Sequence, residues 1–168
     1  MKILFSILFL TLFSVFSFAQ QAKEKTEPVI VAGKGWGVVS LNAKRKVVEK
    51  VLGKGEGRER NKALEDVYFR EYPEKGVQVS YRHKDDKVEA IFFYNKQRRY
   101  EQFTTPAIKT DKGISWSSSP EEVIQAYGKP KNDFNDDDRG GTWRRIVFNG
   151  IDFRFENNVM VRIGLPGD

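Results

Sequence analysis

The sequence predicts an α+β fold: two tandem helix-plus-three-strand repeats, with antiparallel sheets and the helices packed on one face. Three observations predict it. Val48-x-x-Val51-Leu52-Gly53-Lys54 returns as Val123-x-x-Ala126-Tyr127-Gly128-Lys129, a helical apolar seam stopped by glycine in both places. Lys75-Gly76-Val77-Gln78-Val79 returns as Asn149-Gly150-Ile151-Asp152-Phe153, a glycine turn feeding an alternating strand. Each helix is followed by three strands, at 67–72, 77–82 and 88–94 in the first copy and at about 142–148, 150–156 and 159–165 in the second. Self-similarity on this scale marks a repeated structural unit, and such a scaffold presents a sheet surface rather than a catalytic centre.

The elements follow in order. Residues 1–19 read as a signal peptide: Lys2 is a short basic start, 3–18 is an apolar run, and Ser17-Phe18-Ala19 offers small residues for cleavage before Gln20. The alternative is an uncleaved membrane anchor, against which stand the several hydroxyls in the run and the lack of a basic stop-transfer flank. Residues 20–37 read as a flexible N-terminal arm. Its Gly33-Lys34-Gly35-Trp36-Gly37 lacks both the G-x-G-x-x-G spacing and the Gly-Lys-Ser/Thr ending of a phosphate loop. Repeat 1 spans 38–94, with Asn42 as the cap of a helix from about Ala43 to Leu52. The glycines at 53, 55 and 57 follow this helix, whereas an anion cradle needs the free N–H groups at a helix start. Residues 95–112 are a linker interrupted by Pro106, and repeat 2 spans 113–168. Its helix start is the clearest local signal in the chain. Ser119 is the N-cap, Pro120 occupies the first turn, and Glu122 closes a capping box. Gly128-Lys129-Pro130 ends that helix, and 131–141 read as an acidic loop.

Composition narrows the function classes. Cysteine is absent, so disulfides, thiolate metal sites and a lipid-anchoring cysteine are all excluded. The 168-residue chain must hold together through its core, for which it has 13 Phe, 6 Tyr and 3 Trp. Of the 29 Lys and Arg one is Lys2, so an exported chain carries 28 basic against 23 acidic side chains, a net +5. That excess favours acidic partners without specifying nucleic acid.

Little in the sequence supports catalysis. The one histidine, His83, sits in a polar turn and reads as a solvated turn residue, and nothing near it resembles a nucleophile elbow. Asp133-x-Asn135-x-Asp137 opens like a calcium loop, but Asp138 stands where glycine is needed and Arg144 where a bidentate glutamate is needed. Asp152 and Glu156 share a strand face with Arg154 and Arg162, a mixture that cross-strand ion pairs explain more simply than paired catalytic carboxylates. No catalytic, cofactor or metal residues are therefore assigned.

The open sheet face is the functional candidate. By alternation it carries Tyr68, Arg70, Tyr72, Gln78, Arg82, Ile91 and Phe93 in the first repeat, and Asp152, Arg154, Glu156, Met160 and Arg162 in the second. Aromatics beside arginine are the composition of protein-binding hot spots. Tyr68, Arg70, Tyr72, Arg82, Phe93, Arg154 and Arg162 are accordingly the candidate partner-binding residues. The bland alternative packs Ile91 and Phe93 under the linker.

Gly113-Ile114, Ser119, Glu122-Val123, Tyr127-Gly128, Pro130, then Gly150-Ile151-x-Phe153-x-Phe155 with Val159 and Ile163, resembles the repeat of the β-lactamase inhibitor protein superfamily. The small lipoprotein of the outer-membrane barrel-assembly machine carries the same unit. The first copy resembles it more loosely, through Val39, Val48, Leu52-Gly53, Gly76-Val77, Val79 and Ile91. The resemblance implies an exported, non-enzymatic, protein-binding role, periplasmic or secreted, with a protein partner, no nucleic acid and no stable membrane span after signal cleavage. The inhibitor's disulfides and the lipoprotein's cysteine have no counterpart here. The alternative function is a small hydrolase or small-ligand-binding protein with its site between the repeats.

Overall fold

The computed structural model describes residues 28–57, 66–96, 100–136 and 142–167. The signal segment 1–19 and residues 20–27 of the arm lie outside them.

The strands β1 (Val29–Val31), β2 (Gly35–Trp36) and β3 (Val39–Ser40) come first. Helix α1 (Arg45–Leu52) follows, then β4 (Val67–Tyr72), a 3₁₀ turn at Pro73–Lys75, β5 (Val77–Arg82) and β6 (Val88–Tyr94). The remainder is β7 (Lys109–Thr110), helix α2 (Pro120–Tyr127), β8 (Asn132–Asp136), β9 (Trp143–Phe148), β10 (Ile151–Glu156) and β11 (Val159–Pro166).

This architecture corrects the expected fold class. The chain is mostly β, and it is not a pair of helix-plus-three-strand repeats. Seven strands form a single antiparallel sheet in the order β4-β5-β6-β11-β10-β9-β8. A second, mixed sheet has the order β3-β2-β1-β7, with β1 and β7 parallel. The described helices are two of only eight residues each, plus the short 3₁₀ turn. The decisive contact is the antiparallel pairing of β6 with β11, where Phe93 lies opposite Ile163 and Ile91 opposite Leu165. Two separate sheets would each leave a strand edge of unpaired N–H and C=O groups at this place, and joining them removes both edges.

Segments read as irregular also become strands. The stretch taken for a flexible arm folds back on itself as β1 and β2, and β3, at the start of the expected first repeat, pairs with β2. Linker residues Lys109–Thr110 extend that small sheet beside β1. The start of the acidic loop is β8, the edge strand of the large sheet.

The helix ends show which local signals are sufficient. The capping box of α2 forms: Glu122 N–H donates to Ser119 Oγ at 3.2 Å, and Ser119 N–H donates to Glu122 Oε2 at 2.8 Å. Helix α1 departs from expectation, since Asn42 has a left-handed φ of 63° and Lys44 takes the cap position without a side-chain cap bond. Asn42 Oδ1 instead accepts from Arg82 Nη2 at 2.9 Å.

The core lies on one face of the large sheet, covered by both helices and the small sheet. Val48 and Leu52 of α1, Val123 of α2 and Ile30 and Val39 of the small sheet meet Val79, Phe93, Phe153 and Ile163 there. Trp36 sets its ring edge-on to Phe93, with centroids 5.3 Å apart. The glycine run after α1 lies along β4, where Glu56 and Glu71 exchange backbone hydrogen bonds of 2.8 and 2.7 Å. A Cβ at Gly55 would stand 2.8 Å from the Tyr72 ring, so this approach requires glycine.

Candidate partner-binding face

Strand register decides which of the predicted residues reach the open side. Tyr68, Arg70 and Tyr72 pair with Tyr81, Val79 and Val77, which places all three on the covered face. All three are buried. Tyr68 stacks on Tyr81 and on the His83 ring, and its hydroxyl donates to Asp86. Burial, reinforced by that hydrogen bond, raises its pKa well above the usual phenol range. Burial opposes ionisation of Asp86, but donation from Tyr68 and Arg45 outweighs it and holds this carboxyl below its ordinary value. Arg70 donates from Nη1 to the Gly57 carbonyl at 2.9 Å and lies 5.3 Å from the Tyr68 ring centroid.

Phe93 is 0 % exposed, and Ile91 is equally buried. A β-bulge is the reason. The pairing of β5 with β6 shifts between Ser80 and Tyr81, so Val88, Ile91 and Phe93 all face the core. Strict alternation along β6 puts Ile91 and Phe93 opposite Val88, and one extra residue reverses that. A similar shift in the pairing of β10 with β11 sets Met160 opposite Phe155 in the core.

Arg82 lies on the open side but is committed to its own turn. It donates to Glu89 at 2.9 Å, to Asp85 at 3.1 Å and to Asn42 at 2.9 Å. The hydrogen bonds to Asp85 and then Glu89 raise the Arg82 pKa. His83 packs on Tyr68 with Nε2 buried, so it is not the solvated turn residue the sequence predicts.

Arg154 and Arg162 do reach the open face, where they form part of a row that crosses five strands. Phe134 on β8 pairs with Arg145 on β9, Arg145 with Arg154 on β10, Arg154 with Arg162 on β11, and Arg162 with Tyr94 on β6. Neighbouring strands are about 4.8 Å apart, so three guanidinium stems rise within about 10 Å of each other. Like charges directly opposite one another destabilise a sheet, and the row needs compensation.

Asp152 supplies it from the adjoining row. It is 1 % exposed and accepts from Arg162 Nη2 at 2.8 Å and from Arg145 Nη2 at 3.2 Å. Opposite it stands Gly164, where a Cβ would lie 2.7 Å from Asp152 Oδ2. The missing side chain is what lets the carboxylate lie down between the arginines. Arg154 makes no ion pair among the described residues, and its guanidinium carbon sits 4.5 Å from the Trp143 ring centroid. Arg162 covers Phe92 at 5.1 Å and keeps its Nε buried without a hydrogen-bond partner. Glu156 lies on the same face beside Trp143.

The linker closes the other half of this face. Tyr94 stacks on Phe103 and Tyr100, with centroids 4.4 and 4.5 Å away, and its hydroxyl donates to Gln78 Oε1 at 2.9 Å. Asn95 ties the crossing to β11 by donating to the Met160 carbonyl at 2.9 Å. At the far end of the row Arg145 keeps 48% of its side chain exposed, against 15% for Arg162. The acidic stretch is partly spent on structure: Asp133 receives two bonds from Arg144, of 3.0 and 2.9 Å, and Asp137 and Asp138 lie outside the described residues.

Sequence alternation missed Arg145, Phe92, Trp143 and Phe134. For Arg145 a usable signal existed. Asn149-Gly150 is a two-residue hairpin turn, so Phe148 must oppose Ile151, and counting back places Arg145 opposite Arg154.

No helix among the described residues is long and apolar enough to cross a membrane. No family model matches the chain, and no curated protein does. Among solved structures, the chain is similar to a DUF4309 family protein, YjgB, from Bacillus subtilis subsp. subtilis str. 168. The TM-score is 0.48 at 10% sequence identity, over 81% of this chain and 88% of that one, a likeness too loose to carry any argument about role.

Proposed function

We propose that the chain is an exported, non-enzymatic protein-binding module that receives an acidic surface of a protein partner on its arginine row. The observation that supports this is the in-register alignment of Arg145, Arg154 and Arg162 around the single buried carboxylate of Asp152. Asp152 and the neighbouring Glu156 offset two of the three guanidinium charges, which leaves the row with a net positive charge, with Phe92, Trp143 and Phe134 as apolar neighbours. Carboxylates of a partner would complete the compensation, and arginine offers them planar two-point hydrogen bonding. The signal segment read at 1–19 and the resemblance of the second unit to the inhibitor-type repeat support the same role.

Arg154→Glu is the direct test, because Arg154 makes no ion pair among the described residues. A partner is captured from the cell envelope, identified and purified, and its affinity is measured for both forms. The variant is expected to keep the parent melting temperature and to bind at least tenfold more weakly, with the salt dependence reduced. Equal affinity for parent and variant would place the binding surface elsewhere.

A further inference from the structure

A cleft of about 1020 Å³ opens between the small sheet, the end of α1, the 3₁₀ turn and residues 104–107. It shares no residue with the arginine row. Its walls are apolar. Val29, Val38 and Val51, exposed to 40%, 69% and 47%, all line it, and large aliphatic side chains this open are few among the described residues. Trp36 adds an indole whose Nε1 is already bonded to the Pro28 carbonyl at 3.0 Å, so the ring offers the cleft only apolar surface.

The polar lining has a bias. Lys34 and Lys75 both border the cleft, and neither ammonium makes an ion pair or hydrogen bond among the described residues. Glu74 is the one carboxylate beside them. Pockets that bury a drug-sized ligand span about 300–1,000 Å³, and this cleft stands at the top of that range. Apolar walls with unpaired cations at the border match a long apolar body carrying one negative end. We propose that the cleft binds a single-chain amphiphile, an unbranched alkyl carboxylate, with the chain against Val29, Trp36, Val38 and Val51 and the carboxylate at Lys34 and Lys75.

The test uses the purified protein and displacement of a dansyl-labelled undecanoate by octanoate, decanoate, dodecanoate and dodecanol. Affinity is expected to rise about fourfold for each methylene added, the increment of burying one CH₂. Dodecanoate is expected to bind about tenfold more tightly than dodecanol, and Lys34→Ala with Lys75→Ala to abolish that difference. Val38→Glu places a charge at an exposed position and is expected to remove binding without lowering the melting temperature. Arg154→Glu is expected to leave alkyl binding unchanged, so the fate of this site is separable from that of the sheet face. Affinity independent of chain length, or unaffected by Val38→Glu, would overturn the proposal. Equal binding of acid and alcohol would overturn the assignment of the lysines. Failure of every probe, together with a dimer in solution that Val38→Glu dissociates, would overturn it in favour of a second copy as the occupant.

Discussion

Asp152 accepts a 2.8 Å hydrogen bond from Arg162 across the β10–β11 pair while almost wholly shut off from solvent. A buried carboxylate is tolerated only where its partners repay the loss of water. Removing it should therefore cost more than the pair itself is worth, since two arginines lose their counter-charge together. Asp152→Ala is expected to destabilise the fold by about 3 kcal/mol or more. The midpoint of urea unfolding checks this, and an unchanged midpoint would show that the arginines find water instead.

Gly164 is tied to the same carboxylate through space. Its missing Cβ would come within 2.7 Å of Oδ2 and 3.1 Å of Cγ of Asp152. Gly164→Ala should cost about 1–3 kcal/mol through this overlap. Combined with Asp152→Ala it should cost clearly less than the two losses added, because the obstructed group is gone. Additive losses would mean that the glycine matters for its backbone alone.

Phe93 and Arg154 separate the covered face from the open one. Phe93→Ala empties a site packed by Trp36 and is expected to cost about 3–5 kcal/mol. Arg154→Ala should change stability by less than about 0.5 kcal/mol. If thermal unfolding ranked them the other way, the assigned register of β6 would be wrong.

Asp133 provides a pH signature. The hydrogen bonds from Arg144 hold its pKa below the ordinary 3.8. A carboxyl depressed on folding stabilises the native state above its unfolded pKa, and that contribution disappears as pH falls through the folded value. Parent and Asp133→Asn should therefore differ at pH 6 and converge well below pH 3.8, with a difference under about 1 kcal/mol because the pair is partly exposed. A gap that widens on acidification would contradict this.

The cap of α2 was fully legible. Ser119, Pro120 and Glu122 specify a helix start within four residues, and Ser119→Ala should cost about 1 kcal/mol, read from the melting temperature.

Legibility follows the distance over which each decision is made. The six strands at 67–94 and 143–166 and their turns are set by neighbours in sequence, through alternation, the Gly76 and Asn149-Gly150 turns, and the paired left-handed Asn157 and Asn158. From Asn149-Gly150 alone the sequence places Arg145 beside Arg154. From Asn157-Asn158 the same counting places Val161 beside Arg154, yet Arg162 is its partner, because a bulge inserts one residue between the turn and that pair. With a period of two, that single residue decides which side chain joins the arginine row and which is buried. The bulge in β5–β6 likewise sends Phe93 into the core. The junction of β6 with β11 and the parallel pairing of β1 with β7 bring together segments some 70 or 80 residues apart, and no local pattern records them. The sequence by itself determined those six strands, the second helix and the hairpin turns. The tertiary structure decided the single seven-stranded sheet and the faces of its strands, because edge pairing and bulge placement are chosen by the burial they achieve against the rest of the core.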